Sequence, residues 1–178
     1  MEISKGARTE ETVAVTAEDL RIINEFTKRK LSAEDVFTFS VLLCDNEVDR
    51  DFESFTVEAL YQLEKLFLGK TGIFDHQWST VGQKARIYRT QVLTDKEHRV
   101  VYGKPYTYLK AHAYMLCTEN NKELIEEIEG GIKREVSIGC SVAVSKCSIC
   151  GENAGSAKCS HTKGVEYGGE LSLPGYLP

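Results

Sequence analysis

The sequence predicts an α+β domain built around a small, mostly antiparallel β-barrel or sheet. Two observations carry this. Segments rich in β-branched and aromatic residues alternate with stretches of helical periodicity over roughly 110 residues. Between them lie no internal repeat and no low-complexity tract.

Bulk properties narrow the class. A chain of 178 residues is about one domain and can bury roughly two-thirds of its unfolded surface. Hydrophobic residues make up 42% and charged residues 28%, the balance of an ordinary globular chain. The net charge of −5, with both signs interspersed, argues against a broad phosphate-binding face and so against a nucleic-acid partner. No apolar run reaches the ~18–20 residues of a membrane span. The start, MEISKGARTEETVAV, has no signal-peptide core. The expectation is a cytosolic protein with no membrane partner.

Taken in order, TAEDLRIINEFTKRK (16–30) reads as a helix. Thr16 caps it, Glu18 and Asp19 fill the first turn, and Lys28, Arg29 and Lys30 the last. Residues 1–34 then read as a peripheral helical arm. VFTFSVLLC (36–44) reads as a strand. TVEALYQLEKLFLGK (56–70) is a second helix, capped by Thr56, with Ala59, Leu60, Leu63, Leu66 and Phe67 on its apolar face and Gly69 at its end. Strand patterns follow near 84–93, 99–102 and 105–116. TENNKELIEEIEGG (118–131) is a third helix with Leu124, Ile125 and Ile128 inward. REVSIGCSVAV (134–144) reads as a strand. The core thus spans 35–145, followed by a Cys/His loop (146–169) and a tail (170–178) unlike a barrel strand.

Two groups of residues could carry chemistry. On the strand at 134–144, Val136, Ile138, Cys140, Val142 and Val144 share the apolar face, while Ser137 points the other way beside Gly139. A strand serine is a nucleophile only if a histidine reaches it. Of the histidines, His76 lies in GIFDHQWSTVG, His98 in a charged turn, and His112 mid-strand among apolar neighbours, where it reads as a hydrogen-bonded core residue. Cys44, Cys117 and Cys140 read as small core residues. Cys147-x-x-Cys150 followed by Cys159-x-His161 offers four ligands with no open position, the composition of a structural zinc site. A redox Cys-x-x-Cys and disulfides are the competing readings.

The span from about Val36 to Val144 resembles the prohead (capsid maturation) serine proteases of tailed phages, which share their fold with the herpesvirus assemblins. LLCDNEVDRDFESFTVEAL, with Asp49, Arg50 and Asp51, looks like the family's early acidic turn. IFDHQWSTVGQKARI is similar to the segment holding its catalytic histidine, with His76 and Gly82 matching. EVSIGCSV resembles its Ser-Ile-Gly-aromatic strand, with Cys140 in place of the aromatic residue. The resemblance implies an assemblin-like barrel and a serine endopeptidase. Ser137 is the implied nucleophile, His76 the base and His112 the group that orients it, with Glu135 the runner-up. It implies scaffold, capsid and portal proteins as substrates, a homodimer as in assemblins, and a place inside assembling proheads in the bacterial cytoplasm. A catalytically inactive head-assembly protein of the same fold, or a zinc-stabilised interaction module, is the alternative. In the family a further apolar strand completes the barrel, so a chain ending YGGELSLPGYLP reads as truncated.

Overall fold

The computed structural model describes residues 2–73 and 80–177. In chain order these form β1 (Glu2–Thr12), α1 (Ala17–Glu25), β2 (Val36–Asp45), β3 (Ser54–Phe55), α2 (Val57–Phe67), β4 (Thr71–Ile73) and β5 (Gln83–Arg99). Then come β6 (Pro105–Leu116), α3 (Glu119–Glu129), β7 (Glu135–Ser141), β8 (Val144–Lys146), β9 (Glu166–Tyr167), β10 (Glu170–Leu171) and β11 (Gly175–Leu177).

The apolar run 36–44 is buried along its whole length because β2 packs on both of its faces. It sits in a six-stranded antiparallel sheet of order β4-β5-β6-β2-β1-β7. One face carries Phe37, Phe39, Val41 and Leu43 of β2, Leu109 and Met115 of β6, Ile87 of β5 and Ile138 of β7. Ala59, Leu60 and Leu63 of α2 and Ile128 of α3 close over them. One continuous core therefore joins strands four places apart, because the sheet curls into a half-barrel around α2. The outer face buries a smaller cluster under α1, made of Ile23, Leu31, Val36, Tyr88 and Tyr114. Among the described residues no helix is long and apolar enough to cross a membrane.

Helix α2 follows its expected cap: the Thr56 hydroxyl accepts the Ala59 N–H at 3.1 Å. Gly69 takes φ +76°, the left-handed conformation that ends the turn. Leu66, expected on the apolar face, is exposed instead. Leu60 is fully buried. Leu60→Ala should cost about 2–5 kcal/mol, read as a lower denaturation midpoint with an unchanged slope.

The N-terminal 34 residues are not a peripheral arm. β1 lies inside the sheet, hydrogen-bonded to β2 on one side and β7 on the other. α1 packs on the outer face, with Asp19 bonded to Arg89 at 3.0 Å. α1 also stops at Glu25, short of the basic run. The Asn24 side chain accepts the Leu31 N–H at 2.7 Å and donates to Leu20 and Leu31 carbonyls, which turns the chain back on itself. The segment expected as a strand at 99–102 is instead the end of β5 and a 3₁₀ turn over Val101–Gly103. Residues 134–144 divide into β7 and β8 rather than one strand. Cys44 is buried and Cys140 half-buried, but Cys117 is exposed, since it follows the last residue of β6.

The tail is also ordered. β11 inserts between β3, which it pairs in parallel, and β8, which it pairs antiparallel. Pro174 precedes the strand and contributes only its carbonyl, which accepts the Ser54 N–H at 3.2 Å. Tyr176 is buried against Phe55, with ring centroids 5.9 Å apart.

Candidate functional site

The Cys/His loop leaves the sheet at β8 and returns at β11. Cys147, Cys150 and Gly151 form a tight turn: the Gly151 N–H donates to the Cys147 carbonyl at 2.9 Å, and the Cys147 N–H donates to the Glu152 carbonyl at 2.9 Å. Gly151 sits at φ +71°, which an L side chain there would strain. Cys159 and His161 approach from the far end of the loop. The ligand atoms of Cys147, Cys150, Cys159 and His161 all lie within 4.8 Å of one another. Cys150 Sγ and Cys159 Sγ are 3.7 Å apart, and Cys159 Sγ is 4.0 Å from His161 Nδ1.

These separations fit a metal ion. A tetrahedral ion with bonds of about 2.3 Å to sulfur spaces its ligands about 3.8 Å apart. A disulfide needs about 2.05 Å, and all six cysteines are free. The turn also opens no helix, unlike a redox Cys-x-x-Cys. Burial alone would push the Cys147 thiol up, yet it is held down at about 6 by the N–H groups of Cys150 and Ile149 and by the Ser172 hydroxyl. Donors aimed at a sulfur stabilise the thiolate that a metal needs. Tyr167 supports the histidine: its ring meets His161 edge-on at 4.7 Å, and its hydroxyl accepts the Thr162 N–H at 2.8 Å. The cluster can therefore hold one metal ion with four protein ligands.

The loop is anchored to the sheet by charge. Lys163, two residues past His161, bonds Glu53 at 2.6 Å. Glu53 bonds Lys5 of β1 at 2.8 Å, and Lys5 also pairs with Asp49. The Asp49–Arg50–Asp51 turn thus serves as a docking point: Asp49 accepts the N–H groups of Asp51 and Glu53, which places Phe52 at φ +59° over Gly164. A Cβ at Gly164 would stand 2.8 Å from the Phe52 ring. The sequence pattern showed the four ligands but not Ser172, Tyr167, Lys5 or Lys163, because only the fold brings those beside the loop.

Ser137 is exposed on β7, an edge strand, with its register partner Gly6 on β1. Its neighbours Val136, Ile138 and Cys140 turn to the core, as the alternation implied. Glu135 shares its outward side, opposite Arg8. His76 lies outside the described residues; β4, at the opposite edge of the curled sheet, leads into its segment. His112 is on β6, between Ser40 of β2 and Arg89 of β5. Three strand steps separate β6 from β7, on the order of 14 Å. His112 is expected to act on His76, so that pairing lies outside the described residues. The imidazole is half-buried beside Tyr88, and burial, with Lys110 and Arg89 nearby, lowers its pKa and favours its neutral form. His98 is in β5, stacked on Tyr106 at 4.7 Å and 3.2 Å from Glu47.

Compared with protein-family models, with curated proteins and with solved structures, the chain finds no match. The fold and site therefore define it as an α+β half-barrel with a Cys₃His cluster able to bind metal.

Proposed function

We propose that the chain is a serine endopeptidase of the prohead-maturation type, with an assemblin-like half-barrel and a structural zinc ion in its C-terminal loop. The observation that carries this is the setting of Ser137: outward-facing and exposed, on an edge strand whose other face is core. The Ser-Ile-Gly motif and the His76 segment support it from the sequence.

In this reading His76 takes the proton from Ser137 Oγ as Oγ bonds the scissile carbonyl carbon. Backbone N–H groups stabilise the oxyanion. The proton then passes to the leaving amine, and water releases the acyl group by the reverse of the first step. His112, on β6 beside Tyr88, is the group the resemblance offers to orient His76. Zinc suits Cys147, Cys150, Cys159 and His161 because three thiolates and an imidazole leave no position open for substrate. Its role is to hold the loop, which has few apolar residues of its own. The substrates are scaffold, capsid and portal proteins of an assembling head in a bacterial cytoplasm.

Co-expression with such head proteins should give cleaved products that disappear with Ser137→Ala, while the variant keeps its circular dichroism. Products persisting in a folded Ser137→Ala protein overturn the assignment.

A further inference from the structure

A cleft of about 500 Å³ lies where the connection after α1 passes over β4 and β5. Four cations line it, Lys28, Arg29, Lys84 and Arg86, in a chain whose net charge is −5. No carboxylate lines it among the described residues. Arg86 is braced by the Gly69 carbonyl at 2.8 Å, and Arg29 is 3.3 Å from the half-buried Asp35. Lys28 and Lys84 have no partner among the described residues. The floor is apolar, formed by the buried Leu31, Ala85 and Tyr114.

We infer that this cleft binds an extended, acidic segment of a polypeptide, the substrate class of the proposed peptidase. Charge complementarity selects the acid: Arg and Lys heads converge on carboxylates with charge-assisted bonds. The apolar floor calls for a side chain beside the acidic ones, which an inorganic anion lacks. The backbone has its own partner. Among the described residues β4 bonds only β5 and has no partner on its other edge, and Thr71 of β4 lines the cleft. A peptide strand added to that edge places its side chains over the cations. The assignment of this segment as substrate rests on the peptidase reading; its binding does not.

The test uses the full chain with Ser137→Ala, so that binding is read without cleavage. Fluorescence anisotropy follows a labelled twelve-residue peptide of alternating Glu and Leu, against one with Gln replacing Glu. The Glu peptide should bind, weaken steeply with salt, and lose at least about tenfold in affinity with Lys28→Glu/Lys84→Glu. Lys28→Gln/Lys84→Gln should fall between, and Lys122→Glu on α3 should bind as the parent does. Equal binding of both peptides, or charge-reversed protein binding undiminished, overturns the inference. So does tripolyphosphate or polyuridylate binding more tightly than the Glu peptide. If the peptide binds as expected but wild-type protein cleaves nothing, the peptidase reading fails and the acidic-segment site stands.

Discussion

Chelating the metal from the loaded protein, or replacing Cys147 with Ser, is expected to unfold residues 144–177 together while most of the sheet persists. Purified protein should carry about one zinc equivalent, and Cys147→Ser should carry none. Between 146 and 170 the only buried side chain among the described residues is Cys147. Without the ion, only the Lys163–Glu53 pair and scattered hydrogen bonds oppose the roughly 1–2 kcal/mol of backbone entropy that each ordered residue costs. Zinc-finger peptides draw about 10–16 kcal/mol from binding zinc, and a loop with this ligand set depends on the metal in the same way. The loss should reach beyond the loop. β11 is held between β3 and β8, and its Tyr176 carbonyl accepts the Thr56 N–H at the start of α2, at 3.2 Å. Hydrogen exchange should show protection collapsing over β8 to β11 and weakening at β3, while β2, β5 and β6 stay slow. Protection at β11 that is indifferent to chelation would mean that packing alone holds the tail.

The strands and helices that could be read in the sequence are those with a strong apolar period. β2, β6, α2 and α3 announce themselves because each buries an unbroken set of residues against one core. β1 does not, since it carries Lys5, Arg8, Thr9 and Glu10 and owes its place to backbone pairing on both sides. That omission bears directly on the site. β1 supplies Gly6, the register partner of Ser137, and Lys5, which bonds Glu53. The Cys/His cluster was legible because its four members fall in two pairs that are local in sequence, and local spacing is what a turn fixes. The outward direction of Ser137 was legible for the same reason, since strand alternation is local. The tail was misread because its order comes from β3 and β8, which are distant in the chain, and not from its own composition.

Glu53→Gln is expected to destabilise the protein by about 3 kcal/mol at pH 7, and most of that cost should vanish in acid. Glu53 sits between Lys5 at 2.8 Å and Lys163 at 2.6 Å, with only 14% of its side chain exposed. Removing its charge leaves two ammonium groups facing an amide, and breaking a buried pair in this way costs about 3–5 kcal/mol. Lys163 is 42% exposed and can rehydrate, which favours the low end. Burial by itself would raise the Glu53 carboxyl, but hydrogen bonds from Lys163, Lys5 and Tyr176 outweigh it and hold the group at about 2, below its ordinary 4.5. A carboxyl depressed in the folded state stabilises above its unfolded pKa and loses that contribution as pH falls towards the folded value. Of the ~3 kcal/mol present at neutrality, about 2 kcal/mol is gone by pH 3. Lys5, whose pKa is raised, stays charged throughout this window and does not mask the effect. Urea denaturation of the wild type and of Glu53→Gln at pH 7 and pH 3 measures it directly. A gap of the same size at both values would show that the carboxylate's charge is not what holds the loop. A gap that closes in acid shows that Glu53 joins the metal loop to β1, the strand whose Gly6 lies opposite Ser137.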